Sequence, residues 1–166
     1  SSSHIIIHNT IARNTQGFAL YGDPGGNMLI CYNDIINNSV GVHLWHVILN
    51  RFSKNNFINN DIQVQNENAV NDWNDGYPSG GNYWSDYMER YPNATETNNS
   101  SIWDTPYAID EYNQDNYPLM GMFSDFRDNL EHHVQTICNS TISNFQFNGT
   151  AIRFSVKGEN GTAGFC

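Results

Sequence analysis

The chain has 166 residues, 17 acidic against 7 basic side chains, a formal charge of −10 and a pI near 4.7. That balance argues against nucleic acid, which needs a basic face, and against a polybasic membrane contact. No run of 18 apolar residues is present to cross a bilayer. Charged residues make up only 14%, and the polar mass is mostly amide, with 26 asparagines. Asn tolerates left-handed turns and hydrogen-bonds its own backbone or a neighbouring Asn. A solenoid with a tight turn on every coil uses that property; a globular helical protein does not.

Residues 1–66 repeat. Ile6-x-x-Asn9-x-Ile11-x-x-Asn14 aligns with Ile30-x-x-Asn33-x-Ile35-x-x-Asn38 and with Phe52-x-x-Asn55-x-Phe57-x-x-Asn60, at spacings of 24 and 22 residues. Gly17-Phe18-Ala19-Leu20 aligns with Gly41-Val42-His43-Leu44, and Val40/Val42 with Ile62/Val64. Short alternating strands at this period, with Asn at the bends, predict a parallel β-helix of about three coils. Stacking then places Asn9, Asn33 and Asn55 in one ladder and Asn14, Asn38 and Asn60 in another, each amide satisfied by its neighbours above and below. A leucine-rich repeat has a similar period but needs several Leu per repeat, and these coils carry Ile, Val and Phe. Cys31 falls inside the repeat and reads as a buried free thiol.

Residues 67–123 change character. Three of the four tryptophans and seven of the nine tyrosines lie between Trp73 and Tyr117, separated by Gly, Pro, Asn and Asp. Such dense rings carry apolar surface without long periodic elements. A short array exposes a sheet edge and an open core at its last coil, so this stretch is read as an aromatic cap. Residues 124–130 read as a linker, with His132-His133 just beyond it as solvated residues. From about Glu131 the sequence alternates again: His133 to Cys138, Ile142 to Phe147 and Thr150 to Val156, with Asn148-Gly149 as a hairpin turn. Residues 131–166 are too few for a closed sandwich and read as a truncated, β-sandwich-like domain. The chain opens in repeat-like sequence without an initiator Met and is expected to be a fragment. The expected fold class is all-β.

With these motifs in place, the coils resemble the right-handed parallel β-helix repeats of the NosD-like group, the so-called periplasmic copper-binding β-helix proteins, abundant among archaeal exported and surface proteins. Gly81-Asn82-Tyr83-Trp84-Ser85-Asp86-Tyr87, Asp104-Thr105-Pro106-Tyr107 and Asp115-Asn116-Tyr117-Pro118-Leu119-Met120 resemble the terminal motif of such proteins. The segment from Asn139 to Cys166 is similar to a β domain that often follows. The resemblance implies an extracellular, cell-surface or periplasm-like location and raises copper as a candidate cofactor. Relatives often carry an Asp/Asn/Gly-rich, calcium-like loop before the Asp-Thr-Pro-Tyr motif. Here Tyr91 to Trp103 holds only Glu96 as a charged residue and lacks the D-x-[DN]-x-[DN]-G pattern, so calcium is not expected.

Candidate chemistry falls into three classes. Copper would draw on His43, His46, Met120 and Met122, since imidazole and thioether suit it. On a strand His43 faces away from Val42 and Leu44, and His46 joins it only if the chain turns between them; the Met pair also reads as gap-filling hydrophobe. A glycan-cleaving enzyme needs two carboxylates roughly 5–10 Å apart. The aligned coil positions stack none: Asp34 aligns with Thr10 and Asn56, and Asp61 with Ser39 and Thr15. Such a site would have to lie in upstream coils. A glycan-binding module would use Trp73, Tyr77, Tyr83, Trp84, Tyr87 and Trp103, which could equally be the cap's own core. The favoured reading is a non-catalytic exported protein for structural or adhesive display with weak glycan binding. Its expected partners are surface glycans or other cell-surface proteins. N-x-[S/T] sequons begin at Asn37, Asn93, Asn98, Asn99, Asn139, Asn148 and Asn160, and the last six are glycosylation candidates. Cys138 and Cys166 are the candidate disulfide pair in an oxidising compartment.

Overall fold

The structure, a computed structural model, describes residues 4–22, 26–124, 141–147 and 152–157. Each repeat folds into three short strands. The first coil holds β1 (Ile5–Ile7), β2 (Thr10–Ala12) and β3 (Gln16–Tyr21). The second holds β4 (Leu29–Cys31), β5 (Asp34–Ile36) and β6 (Val40–Trp45). The third holds β7 (Ile48–Ser53), β8 (Asn56–Ile58) and β9 (Ile62–Glu67). Pairing is parallel throughout, and two sheets continue past residue 67 with β10 (Val70–Asp72) on β7 and β11 (Tyr83–Trp84) on β8. The protein is therefore a parallel β-helix of about three coils, all-β as the repeat predicts. The register matches the sequence alignment: Ile6, Ile30 and Phe52 are partners, as are Ile11, Ile35 and Phe57.

Those partners are also the core. Apolar residues at one position of each coil stack into columns, and the columns grow more aromatic toward the C-terminal end. Ile6, Ile30 and Phe52 lead to Trp73, whose ring stacks on Phe52 at 4.5 Å. Ile11, Ile35 and Phe57 lead to Trp84, stacked on Phe57 at 4.2 Å, and Trp84 leads to Tyr107 at 4.1 Å and 5°. Ile30, Ile35, Phe52, Phe57, Trp73 and Trp84 are all fully buried. Each such side chain contributes about 1.5–3 kcal/mol of burial or more. Widening from Ile to Phe to Trp lets two or three rings cover an end that further coils would otherwise cover. Cys31 is buried and free.

The bends follow a two-residue rule. A left-handed residue comes first: His8, Tyr32 and Lys54 at φ 56°, 60° and 58°, and Arg13, Asn37 and Asn59 at 61°, 53° and 51°. Four of these six are neither Gly nor Asn, and a side chain there costs about 1–2 kcal/mol. The ladder Asn comes next and offsets the cost. Asn9 donates its backbone N–H and side-chain amide to Asn33 Oδ1 (3.0 and 2.9 Å), Asn33 does the same to Asn55, and Asn55 to Asn82. Asn14, Asn38 and Asn60 repeat the pattern at the next bend. Gly17 and Gly41 make room for the second ladder, since a Cβ there would sit 2.8 and 3.0 Å from the amide nitrogens of Asn38 and Asn60. A third ladder, Asn50 to Asn71, runs at the remaining bend.

Beyond β11 the chain forms a one-turn helix α1 (Tyr87–Arg90) and a small antiparallel pair, β12 (Tyr107–Ala108) with β13 (Gln114–Asp115). A separate unit, residues 126–166, contains the antiparallel strands β14 (Thr141–Phe147) and β15 (Ile152–Lys157). They cover the second and third strands expected there. The first expected strand, His132-His133, the Asn148-Gly149 turn, the sequons at Asn139, Asn148 and Asn160, and Cys138 and Cys166 lie outside the described residues.

Candidate functional site

All three ladders run in one direction, each coil donating to the next, so the last coil needs acceptors that demand nothing back. The cap supplies a carboxylate to each. Asn82 N–H donates to Asp115 Oδ2 at 2.7 Å. Asn60 donates to Gln63, and Gln63 to Asp86 Oδ1 at 3.0 Å. Asn71 N–H donates to Asn113 Oδ1, and the Asn113 amide to Asp110 at 2.9 and 3.1 Å. Asp115 is fully buried and also accepts from the Trp84 indole N–H (3.0 Å) and from Tyr117 N–H (3.0 Å). Burial pushes its carboxyl up to about 6, against the pull of the N–H groups of Asn82, Trp84 and Tyr117. For Asp110, burial also raises the carboxyl, but bonds from Asn113, Tyr112 N–H and Asn66 outweigh it and hold it below the ordinary range. Gly81 packs directly on Asp115: a Cβ there would lie 1.9 Å from Oδ1.

The rings proposed from sequence for glycan contact divide by exposure. Trp73, Trp84 and Tyr87 are buried. Trp103 is half-buried and stacks on Tyr87 at 5.1 Å, and Tyr83 is half-buried in β11. Tyr77 alone of the six is exposed, at 48%. The column ends at Tyr107, whose hydroxyl donates to Asp86 (2.9 Å) and whose face carries the Arg90 guanidinium at 4.3 Å. The single acid of the Tyr91 to Trp103 loop is spent within it, Glu96 accepting from Ser101 N–H, and Asp104 just beyond it accepts from Thr95 N–H and Oγ1.

A second feature sits on the outward face of the β3–β6–β9 sheet. Tyr21, Trp45 and Glu67 share one register position on three successive coils, and Ala19, His43 and Gln65 share the next position on that face. His43 points away from the core, as alternation predicts, yet it is buried because its neighbours close over it. Its Nδ1 lies 2.9 Å from the Tyr21 hydroxyl and 3.0 Å from Gln16 Nε2, and its Nε2 lies 3.0 Å from Glu67 Oε1. The Nε2–H donates to the carboxylate in that arrangement. Gln65 donates to the same oxygen at 2.9 Å. Bonds from Gln65 and then His43 hold the Glu67 carboxyl below its ordinary range. The turn that could bring His46 to this face does occur, with His46 left-handed at φ 53°, and its ring lies edge-on to Trp45 at 4.5 Å.

The donor set for copper can be checked against this geometry. Both ring nitrogens of His43 are engaged in hydrogen bonds. Among the described residues, no three of His, Cys, Asp or Glu converge to hold a metal ion. Met120 and Met122 line an open groove with Glu96, Ser101, Leu119 and Phe123, apart from either histidine. In this structure His43 is held by Tyr21, Gln16 and Glu67, and the two methionines line a groove that neither histidine lines. Sequence reasoning placed His43 correctly but missed Tyr21, Gln16, Gln65 and Glu67; carrying its own strand alignment one to three residues further reveals Tyr21, Trp45 and Glu67 in one row.

Stacked parallel coils, directional amide ladders and an aromatic plug on carboxylate acceptors define a capped β-helix protein. The family model described as periplasmic copper-binding protein (NosD) matches residues 1–89, more than half the chain, and the chain belongs to that family. No curated protein and no solved structure matches it. No helix among the described residues is long and apolar enough to cross a membrane.

Proposed function

We propose that this chain is a surface-display module of an exported protein: the coils form a rigid scaffold, the cap closes it, and its contacts are structural or adhesive, with weak binding to glycans or other surface proteins. The observation that carries the reading is the cap itself. Its largest rings face one another, and its buried carboxylate accepts N–H groups of the cap, so both have a complete structural use without a ligand. The family's description as periplasmic supports export. So do the sequons at Asn37, Asn93, Asn98 and Asn99, all exposed. In this reading residues 1–66 are scaffold, 67–123 closure, 124–130 linker, and 131–166 the opening of a second β domain.

The test is a glycan array probed with the purified chain, alongside a reducing-sugar release assay on the glycans that bind. Retention without release is the expected result; release would move the chain to the carbohydrate-active enzymes. Copper carriage is the second reading, favoured by the family's description alone. A copper titration followed by visible and EPR spectra decides it: tight binding lost on replacing His43 and His46 together would overturn the display reading.

A further inference from the structure

The row Tyr21–Trp45–Glu67 is built in a way that its neighbours do not need. Tyr21 and Trp45 expose 56% and 43% of their surface. Adjacent positions in the row are one coil apart, about 4.8 Å, roughly the length of one pyranose ring. Two of its three side chains are also fixed beforehand. Buried His43 ties Tyr21 on one coil to Glu67 two coils on, with Gln16 and Gln65 holding the flanks (2.7 Å from the Tyr21 hydroxyl to Gln16 Oε1). A ligand meeting it need not order these side chains, which favours binding.

Several groups stay open. Among the described residues, the Trp45 indole N–H, Glu67 Oε2 and Gln65 Oε1 have no hydrogen-bond partner in this structure. Two ring faces, one N–H and two acceptors within three coils suit a ligand with apolar C–H faces and hydroxyl edges. Glu67 and the formal charge of −10 oppose an acidic ligand.

We propose that Tyr21, Trp45 and Glu67 form a binding row for a neutral glycan lying along the solenoid axis. Successive sugar rings stack on Tyr21 and Trp45, and Glu67 with Gln65 accepts hydroxyl hydrogens. The proposal rests on the display reading and moves its glycan contact from the cap to the coils.

The experiment is isothermal titration of the whole chain with hexamers of glucose, mannose and galacturonic acid, repeated on Tyr21→Ala, Trp45→Ala and Tyr77→Ala, with circular dichroism as the folding check. A neutral hexamer should bind, and each row variant should weaken it about tenfold while Tyr77→Ala leaves it unchanged. Glu67→Gln should weaken the neutral hexamer and relieve the rejection of galacturonate. Neutral binding that survives both row variants overturns the row but leaves glycan display standing. Binding of galacturonate alone overturns the ligand class. Absence of binding by all three hexamers overturns the row, and an empty glycan array beside it overturns glycan display as well.

Discussion

Asn55 is the residue on which the first ladder turns. It donates its backbone N–H and one amide hydrogen to Asn82 Oδ1 (3.1 and 3.0 Å) and its second amide hydrogen to the Ile30 carbonyl (2.9 Å). Its own Oδ1 accepts from Asn33 N–H (3.1 Å) and the Asn33 amide (2.9 Å). Asn33, Ile30 and Asn55 are all fully buried. Asn55→Ala would leave the Asn33 N–H without a partner and out of reach of water, and would take one acceptor from the Asn33 amide and the side-chain donor from the Ile30 carbonyl. An orphaned buried group costs about 1–3 kcal/mol and each further lost bond about 0.5–1.5 kcal/mol, so the change should cost roughly 2–4 kcal/mol. That is a large part of the 5–15 kcal/mol of an ordinary domain, roughly. Asn9→Ala is the comparison. Asn9 is exposed and only donates, so its loss leaves one hydrated carbonyl and one acceptor that keeps another partner; the cost should stay below about 1 kcal/mol. Urea unfolding followed by the fluorescence of Trp73 and Trp84 measures both. Equal losses for the two variants, or less than about 1 kcal/mol for Asn55→Ala, would refute the view that the ladder is held by buried, directional bonds.

The ladder's end gives a pH prediction. Asp115 titrates at about 6 when folded against an ordinary value of 3.8, so the folded state binds the proton more tightly. Its contribution to stability is complete below 3.8 and is lost as pH rises through about 6. The melting temperature of the wild type relative to Asp115→Asn should therefore rise on acidification from pH 7 to pH 4, and a flat difference would contradict the burial. Asp110, held low, acts in the opposite sense only at more acidic pH. Trp84→Ala removes the ring between Phe57 and Tyr107 and should cost about 3–5 kcal/mol, with loss of near-UV circular dichroism. Tyr77→Ala should stay within about 0.5 kcal/mol. Gly81→Ala forces a methyl group onto a buried carboxylate; the cap should open, and limited proteolysis should cut between residues 71 and 123 while the coils persist.

The coils were legible because stacking makes the same demand at every turn. Ile6, Ile30 and Phe52, or Asn9, Asn33 and Asn55, face the same surroundings, and repetition exposes them. The third ladder was not legible. Its members Asn50 and Asn71 are followed by Asn113, which comes 42 residues later from a loop. The carboxylate ends share the difficulty: Asp115 stood in plain view inside a motif, but only folding shows that Asn82 points at it. His43 illustrates a middle case. Alternation gives its direction, but its burial depends on Tyr21 and Glu67, side chains from two other coils. The cap rings were correctly suspected of packing on one another, since few aliphatic residues lie between 71 and 118 to fill that space; the sequence did not reveal that they continue the coil columns one by one.

The directional ladders make the coils interchangeable. Each coil receives donors on one side and offers the same donors on the other, and in the first ladder Asn82 of the cap accepts from Asn55 just as Asn55 accepts from Asn33. Array length is then a free variable, changing in steps of about 4.8 Å, while the closing chemistry of Asp115, Asp86 and Asp110 stays constant. A chain built this way can set how far its outward rows reach by copying one coil, without redesigning either the core or the end.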